Sequence, residues 1–286
     1  MIIYIFPQIF YMQGLVQRVL TAIVFVVIMV GGVYLHPLSL IALFLLITAM
    51  CLWEYLDLTL SKDNSGRKWI ALFLGLFPFL LTALYNSPYY EISDTFLYNG
   101  LLLFLPLVAL SFVYELYTSS EKPFTNIGVS LLGVFYIGIP LALVPMIAFR
   151  AGVFHPNIIF GLLLLTWAND TGAYLIGSQI GRTKLFPRIS PKKTWEGSFG
   201  GVLVAFMAAY LLSMVFKDLA LKDWLVLALL VSVFGSIGDL VESMLKRSLN
   251  IKDSGNLLPG HGGMLDRFDA FLFLLPFAGA YLLWIS

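Results

Sequence analysis

Two runs of this 286-residue chain place acids, bases and glycines at spacings suited to anion chemistry. In the later run, Ser243-Met-Leu-Lys246-Arg247 leads through Lys252-Asp253 and Gly255, Gly260, Gly262 and Gly263 to Asp266-Arg267-Phe-Asp269, with His261 among the glycines. Glycines leave backbone N–H groups open to close approach by phosphate. Helical spacing sets Asp239, Ser243 and Lys246 on one face at i, i+4 and i+7, so a carboxylate, a hydroxyl and an ammonium can converge on one ligand. Glu242 stands four residues before Lys246, the favourable order for a local ion pair. Asp239, Asp266 and Asp269 are hard oxygen ligands that suit Mg²⁺ shared with substrate phosphates better than zinc. Asp266 and Asp269 also fall at N-cap and N3-like positions of the next helix, where capping is an alternative role. His261 suits phosphate contact, proton donation or loop filling, and spacing does not decide among them.

The earlier run begins at Thr166-Trp-Ala-Asn169-Asp170 and passes Gly177, Gly181-Arg182-Thr-Lys184 and Ser190-Pro-Lys192-Lys193-Thr194-Trp-Glu196-Gly197. Asp170, Tyr174, Gly177 and Gly181 share a helix face that is expected to look into the bundle. A carboxylate two turns into a membrane span costs roughly 2.5–3.5 kcal/mol on insertion scales, so Asp170 is expected to be functional or paired. Gly177 and Gly181 form a small-xxx-small pair suited to close helix packing, and such faces permit a homodimer. The order is not that of a Walker A loop. Lys192 and Lys193 suit a triphosphate as point charges, and headgroup anchoring is the alternative.

These runs need rigid elements, and composition says which. The chain is 60% hydrophobic and 12% charged, with mean hydropathy +0.92, far beyond a soluble domain. Spanning a bilayer takes roughly 20 apolar residues per helix. Nine stretches qualify, near 19–35, 38–58, 69–86, 97–117, 127–149, 157–178, 198–216, 223–245 and 267–285, and none alternates as a membrane barrel would. The expected fold is all-α and polytopic, with an interfacial segment at 1–18, packing helices over 19–150, and a catalytic half over 151–286 that carries cytoplasmic loops 179–197 and 246–266.

Net charge is only +1, but its distribution is lopsided. With the N-terminus inside, fourteen of the seventeen Lys and Arg residues fall on the cytoplasmic side, leaving Arg150, Lys217 and Lys222 beyond it. The odd span count then sends the C-terminus to the opposite side. Cys51 is the sole cysteine and sits in an apolar stretch, which excludes a disulfide or thiolate metal site. Glu54 and Asp57, beside Trp53 and Tyr55, read as interfacial acids that reach water or pair with Lys62. Residues 1–11 lack the basic start and cleavage site of a secretory signal. No internal repeat of the transporter kind is apparent.

The run S-x-x-K-R-x4-K-D-x-G-x2-L-P-G-H-G-G-x-x-D-R-x-D over Ser243 to Asp269 resembles the pattern of phosphatidate cytidylyltransferases, and the segments at Asn169-Asp170 and Ser190 to Gly197 resemble the same family. That resemblance implies transfer of CMP from CTP to phosphatidic acid in phospholipid synthesis, at the inner face of a bacterial plasma membrane. It implies CTP, phosphatidic acid and membrane lipid as partners, and no nucleic acid. Mg²⁺ is the implied cofactor, with Mn²⁺ or a second cation as variants. By the same resemblance Asp239 and Asp266 hold the metal with Asp269 next to them. Asp170 is a ligand or an orienting group, and Lys246 takes part in catalysis. Asn169, Lys192, Lys193, Ser243, Arg247, Lys252, His261, Gly262, Gly263 and Arg267 bind substrate. Two rivals are weaker: the D-G-x2-A-R-x8-G-x3-D-x3-D arrangement of CDP-alcohol phosphotransferases is absent, and so is the repeat symmetry of an ion transporter.

Overall fold

A computed structural model describes residues 5–60, 65–87, 89, 92–118, 120–255, 257 and 262–285, with the backbone alone for 5–18 and 65. Lys62 and His261 lie outside the described residues. The α-helices are α1 (Ile5–Tyr34), α2 (Pro37–Thr59), α3 (Ser65–Tyr85), α4 (Asp94–Thr118), α5 (Pro123–Gly133), α6 (Ile139–Ala148), α7 (Pro156–Ile180), α8 (Trp195–Val215), α9 (Leu221–Leu230), α10 (Ser236–Ser248) and α11 (Leu265–Trp284). A π-helical turn, Val134–Gly138, joins α5 to α6, and another, Val231–Gly235, joins α9 to α10, so each pair is one rod. Among the described residues eight rods are long and apolar enough to cross a bilayer, and Val19–Tyr34 within α1 adds a shorter apolar stretch. The chain is therefore an all-α polytopic membrane protein. The segment read as interfacial is continuous with the first span, because α1 runs unbroken from Ile5.

Helix starts follow local chemistry. Pro37 and Pro156 sit where the first turn has no use for an N–H. His36 caps α2: its Nδ1 accepts from Leu38 N at 3.2 Å, while Ser39 Oγ accepts from His36 N at 3.0 Å. Thr194 Oγ1 caps α8 by accepting from Gly197 N at 3.2 Å. The core is built from α2, α6, α9 and α11, where Phe44, Trp224, Phe268 and Phe271 are buried.

The tightest seam joins α7 to α8. A Cβ added at Gly172 would meet the Gly200 carbonyl oxygen at 2.8 Å, and one at Gly197 would meet the Ala173 carbonyl oxygen at 2.8 Å. Small residues let these backbones touch. Gly177 and Gly181 belong to the same seam, where a Cβ would meet Gly197 Cα at 3.3 Å and Thr194 Oγ1 at 2.6 Å respectively.

Peripheral α4 shows the opposite character, since only 6% of its apolar window is buried. Polar ties hold both its ends: Tyr85 OH of α3 donates to Asp94 Oδ1 at 2.5 Å, while Arg67 of α3 pairs with Glu115, both buried, and Asn126 Nδ2 of α5 donates to Glu115 Oε2 at 3.4 Å. Arg67, read from sequence as a topology signal, is in fact interior.

The all-α reading needs one amendment. Between α7 and α8 the chain forms an antiparallel hairpin of β1 (Lys184–Phe186) and β2 (Ser190–Thr194). Glu196 pins its base, accepting from Arg182 N and Thr183 N at 3.1 Å. Three- and five-residue strands built from Lys-Leu-Phe and Ser-Pro-Lys-Lys-Thr carry too little alternation to be read from sequence.

Candidate active site

One end of the bundle gathers the C-terminal ends of α2, α7 and α10, the hairpin, and the N-terminal end of α11. The two motif runs meet here through an ion pair: Lys193 Nζ of β2 lies 2.6 Å from Asp239 Oδ2 of α10 and donates to the Ser236 carbonyl at 3.2 Å. Ser243 Oγ, one turn on, donates to Asp239 Oδ1 at 3.2 Å. Asp170 and Asp269 belong to the same field. The charges of Asp239 and Lys193 act on Asp170, and those of Asp239, Asp170 and Lys246 act on Asp269. Asp239 keeps 38% of its side chain exposed, leaving room for a ligand.

Asp170 does not look into packed protein as the helix-face argument expected. It is exposed, and Tyr174 on the same face is 74% exposed. The reason is steric: the α7–α8 seam selects the small residues Gly172 and Gly177, together with buried Asn169, whose Oδ1 would lie 2.7 Å from a Cβ on Gly201. Asp170 is left beside that seam, open toward the acidic cluster. Asn169 is thereby a packing residue of the seam that also hydrogen-bonds to Asp170.

A second cluster centres on Asp266. Its Oδ1 accepts from Lys246 Nζ at 2.7 Å and from Ser254 N at 3.2 Å, and its Oδ2 accepts from Ser254 N at 3.0 Å and Gly263 N at 2.8 Å. Lys246 also pairs with Glu242, which has no exposed surface, so the expected i,i+4 pair is present. Held between two carboxylates, Lys246 has its charge matched by protein, and its placement suits it to orienting the loop. Asp266, expected as a metal ligand, has donors on both oxygens, which fix its carboxylate in place. Among the described residues, no three acidic, His or Cys side chains are grouped as a metal cage.

Neither acid caps α11 with its own side chain as the sequence reading allowed; Met264 occupies the N-cap position without a side-chain bond. The cap comes from Glu54 of α2, more than two hundred residues away in sequence. Glu54 is only 5% exposed, and its Oε1 accepts from Met264 N at 2.9 Å while Oε2 accepts from Leu265 N at 2.8 Å and Ser254 Oγ at 3.3 Å. A carboxylate at a helix N-terminus satisfies orphan donors and meets the positive end of the helix dipole. Sequence reasoning missed this residue and assigned it to the interface. The available signal was an acid without a cation at i+4 in an apolar helix. Its neighbour Asp57 pairs with Lys68 at 2.7 Å, a different partner from the expected Lys62.

These contacts change the reading of the glycine loop. The amides of Ser254, Gly263, Met264 and Leu265 are bonded to Asp266 and Glu54, so they are not open to phosphate. The glycines make room for those carboxylates: a Cβ on Gly263 would lie 2.5 Å from Glu54 Oε2, and one on Gly262, whose φ is +82°, would lie 2.7 Å from Asp266 Oδ2. Four further cations of the two motif runs lie at the surface. Lys192, Arg247, Lys252 and Arg267 are exposed, with Arg247 Nη1 donating to the Ile251 carbonyl at 3.0 Å.

The chain is similar to known proteins along nearly its whole length. The model of the cytidylyltransferase family matches residues 16–285. A phosphatidate cytidylyltransferase of Bacillus subtilis is 36% identical over 267 residues, covering 93% of this chain and 97% of its own. Those of Staphylococcus epidermidis and Staphylococcus aureus are 43% and 42% identical over 175 residues, each alignment covering 59% of this chain and 65% of theirs. A match through nearly the whole length includes both the motif-bearing helices and the N-terminal ones that carry Glu54, and the chain belongs to the cytidylyltransferase family.

Proposed function

We propose that the protein transfers CMP from CTP to phosphatidic acid, giving CDP-diacylglycerol and pyrophosphate for phospholipid synthesis. The observation that carries this reading is the Lys193–Asp239 contact, which joins the two motif runs into one polar cluster at the end of the bundle. A soluble trianionic nucleotide and an anionic lipid both need cations beside carboxylates at a membrane boundary, and this pocket offers them. The basic asymmetry of the loops supports a cytoplasmic location in a bacterial inner membrane, with the N-terminus on that side and the C-terminus beyond it.

Mg²⁺ binds through one or two carboxylates together with substrate phosphates, so a complete protein cage is not required. Asp239 with Asp269 or Asp170 offers such a donor set, whereas Asp266 is committed to the loop. Mn²⁺ or a second cation would use the same donors. When bound, the cation offsets repulsion between the two anionic substrates and the charge developing on the phosphates.

In the reaction a phosphatidate oxygen attacks the α-phosphorus of CTP. A new P–O bond forms as the bond from that phosphorus to the bridging oxygen breaks, and pyrophosphate leaves with the electron pair. Little covalent work falls to the protein, whose part is positioning and charge stabilisation. Lys193, anchored by Asp239 and the Ser236 carbonyl, supports charge passing to pyrophosphate. Lys192, Arg247, Lys252 and Arg267 steer the two anions to the pocket, with His261 as a further contact of the loop.

Purified protein in phosphatidic acid micelles is expected to release pyrophosphate only when CTP and Mg²⁺ are both present. Ion flux in sealed vesicles without any CTP turnover would overturn the assignment in favour of a transporter.

A further inference from the structure

We infer that Glu54 is a positioning residue for the anionic substrates, a carboxylate from the N-terminal helices that holds Ser254 and the start of α11 in their working places; this rests on the reading of the activity just given. Buried Glu54 has three donors, and every one belongs to the segment 254–265. It fixes the first turn of α11, where Asp266 stands. Asp266 in turn fixes Ser254 and Gly263 and binds Lys246 Nζ. The two carboxylates therefore hold the described ends of the loop together, and both hold Ser254, one through its hydroxyl and the other through its amide.

The loop is shaped around Glu54. A Cβ on Gly255 would approach Glu54 Oε1 to 2.7 Å, and one on Gly263 would approach both Oε2 and Ser254 Oγ within 2.5 Å. Two glycines on different arms of the loop are thus needed to admit one carboxylate. A residue that only filled space in α2 would not require backbone donors and side-chain-free positions to converge on it. Exposed Lys252 and Arg267 flank the clamped segment, so its shape decides where those cations stand.

Glu54→Gln keeps the volume but sets an amide N–H₂ against the Met264 or Leu265 N–H, donor facing donor. Supporting groups of this kind typically contribute about 10- to 100-fold in activity. The expected result is a fall of that size in kcat/KM for CTP, led by KM for CTP, with faster amide exchange at 254–265 but not in α2. Gly263→Ala, which crowds the carboxylate from the loop side, is expected to give the same pattern, and Ser254→Ala a weaker one. Unchanged CTP KM and unchanged exchange in folded Glu54→Gln protein would overturn the proposal. So would loss of activity that only tracks loss of folded protein across all three variants. If wild-type protein turns over no CTP, the activity assignment fails, while the exchange experiment still decides whether Glu54 holds the loop.

Discussion

The two acidic clusters at the end of the bundle differ in how far protein donors satisfy them. Each carboxylate oxygen of Asp266 and of Glu54 has a protein donor, and both side chains are nearly inaccessible. Around Asp239, the ammonium of Lys193 and the hydroxyl of Ser243 face three mutually interacting carboxylates, and Asp239 stays accessible. Buried charge without partners is costly, so the first arrangement is a scaffold. The second leaves acceptor capacity for something outside the chain. The family resemblance had put Asp239 and Asp266 in one ligand set; their hydrogen-bond partners differ.

Asp239→Asn should break the comparison most sharply. Asparagine preserves volume and can still accept from Ser243, but it removes the charge facing Lys193 and the incoming phosphates. Turnover is expected to fall about 100- to 1000-fold, in the range seen when one electrostatic contact to a transition state is removed. Melting temperature and membrane insertion should stay at wild-type values. A variant with near-normal turnover and ordinary Mg²⁺ dependence would remove Asp239 from the site and erase the distinction between the clusters.

Asp266→Asn tests the scaffold side, and its signature should differ in kind. The change removes a charge that matches Lys246 and replaces acceptors of the Ser254 and Gly263 amides with a group that is half donor. Bonds to charged groups contribute roughly 1.5–3 kcal/mol, so thermal stability should drop together with activity, and part of the lost activity should return at lower temperature. Loss of activity with full stability would place Asp266 among the substrate- or metal-binding groups instead.

Much of this end of the molecule was legible in the sequence, and the illegible part has physical causes. Spans followed from apolar length, and the chemistry-bearing residues from charge set among glycines. The i,i+4 pair of Glu242 with Lys246 followed from helix geometry. Glu54 was hidden because its partners are backbone amides over two hundred residues away, which no residue pattern reports. The exposure of Asp170 was hidden because helix-face arithmetic groups it with Gly177 and Gly181, and those glycines enter the α7–α8 seam while Asp170 stands beside it. The π turn at Val231–Gly235 adds a residue to a turn just before α10, and apolar composition gives no hint of it.

The smallest effect should come from a third polar cluster at the far end of the bundle, as fully partnered as the Glu54 clamp but remote from the pocket. Asp218 accepts from His155 Nδ1 at 2.8 Å and from Asn157 Nδ2 at 2.7 Å, while Tyr34 OH donates to Asn157 Oδ1 at 3.0 Å. Burial pushes the Asp218 carboxyl up, but the bonds from His155 and Asn157 and the imidazole charge outweigh it and leave it below the usual carboxylate range. A carboxyl lowered in the folded state adds stability above its unfolded value of about 3.9, and that contribution disappears as pH falls through the folded value. Asp218→Asn should therefore lower the melting temperature by a few degrees at neutral pH, with the gap to wild type closing below about pH 4. CTP turnover at permissive temperature should be unaffected, because saturation of donors and acceptors by itself marks a structural cluster and not a catalytic one. A clear fall in turnover would mean that the far end communicates with the pocket, and the contrast between the two acidic clusters would then reflect more than their local partners.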